Sequence, residues 1–369
     1  MKPRNMRNTR NKMSEAETRE SSAELDSAVS PNCIRRTSGT PCGHGIKNPR
    51  YSRLKICATI VAVVILVAGL SFAQNHRRYP SHWDSSGDLI QTEGGEWVDQ
   101  TKVQTAREIA SHSTGTPEWT NPAGFEKDVF TFVRIIRDRN PEGSPTAGNW
   151  ITDFPDSDLN LSFRLQQVTS MRTNPDGRTI RLTDPDLLNY PWIYTVEPGG
   201  LLLRDEEVPI LRKYLENGGV LMVDDFWGEW QWKGFTNQIA RVLPGRNFVE
   251  LEMDHPLFHC VFDIRVPKNK LQTPNIGQGI RSQYDGITYE RHPREGSYNR
   301  WGRESEACID MHVRAIFDDK GRIMVIAMHN CDNGDGWERE GENDYFFHEF
   351  SEKRAYPLAV NTIFYLMTH

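Results

Sequence analysis

Apolar residues fall along this chain in two alternating patterns. Short runs such as "DVFTFVRII" (128–136), "YPWIYTV" (190–196) and "VLMV" (220–223) are apolar at nearly every position. They are rich in β-branched and aromatic side chains, which predicts strands. Between them, "SDLNLSFRLQQVT" (157–169) puts Leu161, Leu165 and Val168 at i, i+4 and i+7, the spacing of one helix face. "RDEEVPILRKYLENGG" (204–219) carries acids in its first turn, Val208, Leu211 and Leu215 on one stripe, and Gly218 at its stop. Pro209 fits that helix if it starts just before it, where amides are still unbonded. "FVELEM" (248–253) predicts another strand. "HVRAIFDD" and "RIMVIAM" predict a strand pair, and "AYPLAVNTIFYLMT" a C-terminal helix. Strands that are apolar on both sides and alternate with helices indicate a mostly parallel sheet covered on both faces.

The periodicity starts late. Residues 1–55 have little to bury and carry 12 Lys/Arg against 5 Asp/Glu, which reads as a disordered basic tail. "ICATIVAVVILVAGLSFA" (56–73) is 18 residues without a charge, close to the ~20 that span a bilayer as one helix. Lys47, Arg50, Arg53 and Lys55 precede it, so the expected topology is a cytoplasmic N-terminus and an extracytoplasmic main body. Two readings fit: an uncleaved single-pass signal-anchor in the cell membrane, favoured by the long leader, or a signal peptide cut after Ala73. Residues 74–125 are polar and broken by Gly and Pro, and read as a linker with one short helix near Lys102–Ser111. Residues 126–369 form the expected α/β domain, with an irregular insertion about 265–311.

Charge and cysteine content narrow the function. Residues 74–369 hold 32 basic and 45 acidic side chains, which argues against nucleic acid as a partner. Membrane contact is expected through 56–73, with envelope proteins or a small polar ligand as the remaining partners. Cys260, Cys308 and Cys331 are the cysteines of the main body, enough for one bridge at most, and no CxxC suggests zinc.

Candidate chemistry begins where "GGVLMVDDFWGEW" (218–230) runs from apolar strand into Asp224 and Asp225. In an open parallel α/β sheet, ligands bind outside the carboxyl ends of the strands. Adjacent side chains point apart, so at least one aspartate faces that crevice, and a buried one demands a partner. Asp153 and Asp158 follow the first strand, and Asp254 and His255 follow a later one. Carboxylates with a histidine suit a hard divalent cation or paired acid/base work. The bland alternative is that Asp153 and Asp158 cap the next helix while Asp224 and Asp225 hold loop amides.

The segments "FVRI", "WITDFPDSDLNL", "YPWIYTVEP", "LRKYLENGGVLMVDD", "DHPLF", "GRIMVIAMHNCD" and "YPLAVNTIFYLMT" together resemble the bacterial domain of unknown function family 4159, over roughly residues 127–369. The resemblance implies a flavodoxin-like three-layer α/β/α sandwich, similar to class I glutamine amidotransferases and ThuA-like proteins, here preceded by one transmembrane helix. It implies no activity. The amidotransferase-like enzymes place a cysteine nucleophile on the turn after a central strand; here that turn holds Asp224 and Asp225, so cysteine-dependent glutaminase chemistry is not expected. Asp332 aligns with the family's terminal acidic position.

The remaining signals are weaker. In "HNCDNGDGWEREGE" (329–342), Asn333, Asp335 and Glu342 fall at EF-hand ligand positions, but Cys331 occupies the first, so a surface turn is expected. His259, His312 and His329 lack ligand spacing and read as structural. Trp227, Trp230 and Trp232 cluster past the carboxylates, where they either stack on a sugar-like ligand or pack the loop. The expectation is a ligand-binding module with an acidic pocket of Asp153, Asp158, Asp224, Asp225, His255, Trp227 and Asp332. The alternative is a metal- or carboxylate-dependent hydrolase using the same pocket, with an unidentified cofactor such as a divalent cation.

Overall fold

The computed structural model describes residues 88–125, 128–137, 149–290 and 307–369. The expected basic tail (1–55), the membrane segment (56–73), the first part of the linker and residues 291–306 of the irregular insertion lie outside the described residues. Among the described residues no helix is long and apolar enough to cross a membrane.

A hairpin of β1 (Leu89–Gln91) and β2 (Trp97–Asp99) comes first. Then follow β3 (Val133–Ile135), α1 (Asp156–Val168), β4 (Arg178–Ile180), β5 (Trp192–Val196), α2 (Glu207–Glu216), β6 (Val220–Asp224) and α3 (Gly228–Val242). The chain continues through β7 (Val249–Glu250), α4 (Ile276–Asp285), β8 (His312–Phe317), β9 (Ile323–His329) and the short α5 (Asn333–Glu338). It ends in a π-helical stretch, Phe347–Ala355, and α6 (Tyr356–Thr368).

Strands β3 to β9 form one seven-stranded sheet in the order β4-β3-β5-β6-β9-β8-β7. The five strands from β4 to β9 are parallel, and β8 and β7 add antiparallel at one edge. The β8–β9 pair is the one expected from "HVRAIFDD" and "RIMVIAM", whereas "FVELEM" supplies only two paired residues. Alternate strand residues feed two separate cores. Trp192, Tyr194, Val220 and Met222 pack with Leu161 and Leu165 of α1 and Leu358 and Ile363 of α6. Ile193, Leu221 and Val223 pack with Leu211 and Leu215 of α2 and Phe235 and Ile239 of α3. That is why those runs are apolar at nearly every position, and the α/β layering matches the expectation.

Because β3 leads to β4 on one side and β5 lies on the other, the strand order reverses between β3 and β5, and a crevice is expected at their carboxyl ends. Within the stretch read as a linker, residues 88–125 fold onto that end. Ile90, Val103, Ala106 and Ile109 pack with Trp150, Ile151, Phe154 and Leu159 in a third core. Ala106–Glu108 is a single 3₁₀ turn where a short helix was expected.

Candidate functional site

At the carboxyl edge of the parallel strands lies a cavity of about 260 Å³. Seven of the twelve described residues that line it are acidic, and Arg339 is the one base among those twelve. The strands place these acids through a repeated turn. Glu197, Asp225 and Asn330, each the residue just after β5, β6 and β9, sit at φ 48°, 53° and 60°. Asp153, ahead of α1, sits at φ 64°. A non-glycine residue in this left-handed region costs about 1–3 kcal/mol, and such residues concentrate where function requires a turn. Backbone bonds fix the geometry. The Glu197 amide donates to the Asp224 carbonyl at 3.0 Å, the Asp225 amide to the Cys331 carbonyl at 2.8 Å, and the Asn330 amide to the Phe226 carbonyl at 2.9 Å.

Three of the expected residues converge. Asp153, Asp225 and Asp332 each offer an oxygen, all within 4.8 Å of one another. Asp153 is 1% exposed, and its Oδ2 has no hydrogen-bond partner. A side chain on Gly334 would collide with that oxygen, so the absent Cβ makes its room. Asp225 is held by the Trp227 indole, which donates to its Oδ1 at 3.0 Å, and Asp332 accepts from the Asp335 amide at 2.9 Å. Burial raises all three carboxyls well above their ordinary range. Neighbouring carboxylates add to this: Asp335 and Glu93 for Asp153, Glu197 and Glu290 for Asp225, and Asp225 and Asp335 for Asp332.

The other expected residues take different places. Asp224 is buried beside the cavity, in contact with the Tyr194 hydroxyl, and accepts from the Asn333 amide at 3.0 Å. Burial pushes its carboxyl up to about 6, against those hydrogen bonds. It holds a loop amide, as the bland alternative anticipated. Asp158 does not line the cavity: Arg134 of β3 grips it, with Nε 3.0 Å from each carboxylate oxygen. The same guanidinium donates to the carbonyls of Trp150 and Thr152, so Asp158 is committed to packing. Neither Asp153 nor Asp158 caps α1 through its side chain.

His255 is away from the lining. It caps the 3₁₀ turn Pro256–His259 by accepting from the Leu257 amide, and packs edge-on against Tyr365. The tryptophans do not face the cavity either. Trp227 is 1% exposed, Trp232 packs among Phe226, Phe248 and His329, and among the described residues no aromatic side chain lines the cavity. His259 and His312 pair with Asp263 and Glu250, while His329 is buried against the Gly228 carbonyl. Among the described residues no disulfide joins Cys260, Cys308 and Cys331, so the bridge their number allowed is not formed there.

Sequence reasoning missed half of the site. Glu93, from the stretch read as linker, accepts from the Asp153 amide at 3.1 Å and pairs with Arg339 Nη2 at 2.7 Å. His112, from the same stretch, bridges two buried carboxylates: its backbone amide donates to Asp156 at 3.0 Å and its ring contacts Glu338. Asp335 and Glu338 project from α5 toward Asp153, and these three also bring oxygens within 4.8 Å. The spacing of Asp332, Asp335, Glu338 and Arg339 (i, i+3, i+6, i+7) was the available signal. The discarded EF-hand alignment did touch Asp335, though in a loop of a different kind.

A search of curated proteins finds no match to this chain. Residues 132–367 match a family described as "Domain of unknown function (DUF4159)", a span that holds Asp153, Asp225, Asp332, Asp335 and Glu338 but neither Glu93 nor His112. With more than half of its length covered by that match, and in line with the resemblance read from its segments, the chain belongs to the DUF4159 family.

Proposed function

We propose that this domain binds a hard divalent cation on Asp153, Asp225 and Asp332 and, through the coordination positions left facing the cavity, a small polar ligand. The observation that carries this reading is Asp153 Oδ2, buried and without a partner beside two further carboxylates. A buried carboxylate that finds no proton donor costs several kcal/mol unless an ion compensates it. Oxygens within 4.8 Å of one another suit an ion with oxygen ligands at about 2.1–2.6 Å, whose opposite ligands lie roughly twice that apart. Mg²⁺, Mn²⁺ and Ca²⁺ are the matching ions, because every donor is a carboxylate.

Glutaminase chemistry finds no support in the site. The turn after β6 carries Asp225 and Phe226, and Cys331, at the end of β9, has its thiol pushed far up by burial. The flavodoxin-like, amidotransferase-like ancestry implied by the resemblance is supported by the parallel order β4-β3-β5-β6-β9. The uncharged segment 56–73 after four basic residues supports a membrane-anchored, extracytoplasmic setting.

A hydrolytic second reading rests on Glu197. Its carboxylate lines the same cavity and accepts from Thr152 Oγ1 at 2.8 Å, so it would serve as the proton acceptor for water on a bound cation. A cation-activated water and a nearby base are what metal-assisted hydrolysis requires.

Thermal unfolding of the purified full chain tests the cation reading. Mg²⁺, Mn²⁺ or Ca²⁺ at 100 times Kd should stabilise it by about 2.7 kcal/mol over a chelator-treated sample. Asp225→Asn should keep the circular dichroism spectrum and lose that shift. The absence of a shift with any of the three ions overturns the reading.

A further inference from the structure

The acids at and beside the cavity make the parts of two cation sites: Asp153, Asp225, Asp332 and Asp335 line it, while Glu338 is buried outside the lining. Asp153 belongs both to the set with Asp225 and Asp332 and to the set with Asp335 and Glu338. A carboxylate shared in this way is how paired divalent ions, about 3.5–4 Å apart, are usually held. The two sets differ in what already compensates them. Arg339 Nε lies 2.6 Å from Glu338 Oε2 and 3.2 Å from Asp335 Oδ1, and Nη2 lies 2.7 Å from Glu93 Oε2. Its side chain is 18% exposed, so the guanidinium is largely dehydrated in this position. Asp153 Oδ2 and Glu338 Oε2 are both buried without a hydrogen bond, but Glu338 has the Arg339 charge against it, whereas among the described residues no Lys or Arg forms an ion pair with Asp153, Asp225 or Asp332.

Resting on the cation reading above, we propose that Arg339 is a resident cation that fills the Asp335–Glu338 set beside the cavity, so that the site admits one divalent ion and excludes a second. A guanidinium keeps its charge at any pH at which a protein folds, and its fork occupies several carboxylate oxygens at once. A divalent ion entering that half would need the same oxygens at about 2.1–2.6 Å and would meet a fixed positive charge beside them. Among the described residues no guanidinium is paired to the oxygens of the open half, and Arg134, whose charge is felt at Asp153, is bonded to Asp158. The pair of sites that the acidic geometry prepares is thus reduced to one by Arg339, the residue just after α5, at i+4 from Asp335 and i+1 from Glu338, while the His112 ring contacts the other Glu338 oxygen. Replacing the guanidinium by a neutral group should restore the second site, with Asp153 as the shared ligand.

Metal-stripped full chain is titrated with Mn²⁺, the bound ion counted after gel filtration and its electron paramagnetic resonance spectrum recorded. The wild type should hold one Mn²⁺ per chain with the spectrum of an isolated ion. Arg339→Gln, refolded with Mn²⁺ present, should hold two with the spectrum of an exchange-coupled pair, and Arg339→Lys, which keeps the charge, should hold one. Two ions in the wild type overturn the proposal, as does a single ion in a folded Arg339→Gln. If Arg339→Gln does not fold, the wild-type count decides alone: one ion supports the proposal and two overturn it. No ion in the wild type at all is the separate result that removes the cation reading itself, and the proposal with it.

Discussion

Asp153 and Asp158 are five residues apart, both buried, and opposite in character. Asp158 is met by Arg134, whose guanidinium also satisfies Trp150, Thr152 and Ser157, so every group in that cluster has a partner inside the protein. Asp153 has an oxygen with no partner and two more aspartates beside it. The difference teaches how to tell a structural acid from a ligand-ready one. Burial is common to both; what separates them is whether the chain itself supplies the countercharge.

The hardest blow to that comparison is Arg134→Met. It leaves Asp158 charged and unpaired in the core and should cost about 3–5 kcal/mol, read as a lowered denaturant midpoint. A loss below about 1 kcal/mol would mean that Asp158 is no more anchored than Asp153, and the contrast would fail.

A pH titration sharpens it from the other side of the sheet, where charges are likewise closed within the fold. Burial, aided by Arg314, lowers the His329 imidazole from 6.5 to about 3. The unfolded chain therefore binds a proton that the folded one refuses, and stability falls as pH drops from about 6.5 toward 3, by up to about 1.4 kcal/mol per pH unit. Glu250, held by His312 and Lys268 at about 2 against its burial, loses its contribution over a lower window, from 4.5 down to 2. His329→Gln should flatten the upper part of the slope while the cation-induced shift at neutral pH stays unchanged. A shift lost along with the slope would show that the two regions are not independent.

The smallest expected effect is Trp227→Phe. It removes the indole donor to Asp225 Oδ1 without opening the cavity. Partners that orient a metal ligand are typically worth 10–100-fold in affinity, so cation binding should weaken by about tenfold, measured by calorimetry. Unchanged affinity would mean that Asp225 needs no orientation from outside.

Much of this fold was legible, and its reasons are local. The runs 190–196 and 220–223, apolar at nearly every position, read as central strands, and Gly218 marked the stop between α2 and β6. Asp225 was visible because it follows such a strand directly, and Asp332 through its match to the family's terminal acidic position, three residues past β9. Asp158 was misplaced because its partner lies 24 residues earlier, although Arg134 inside "FTFVRII" was itself a clue, since a cation in a buried strand requires an acid. His255 was misplaced because β7 pairs over only two residues, so "DH" does not emerge at the strand edge where the cavity lies. Glu93 and His112 gave no signal. They ride on three-residue strands and turns whose burial depends on Trp150 and Phe154, a packing fact that no periodicity within residues 88–125 records.

The row of left-handed turns ending β5, β6 and β9 has one more consequence. Neighbouring strands in any sheet stand about 4.8 Å apart. Because each turn lifts off at its strand's last residue, the acids that follow inherit that repeat instead of drifting on long loops. The pleated layer serves as a ruler, and the interval it rules is close to the width of an ion's shell of oxygens.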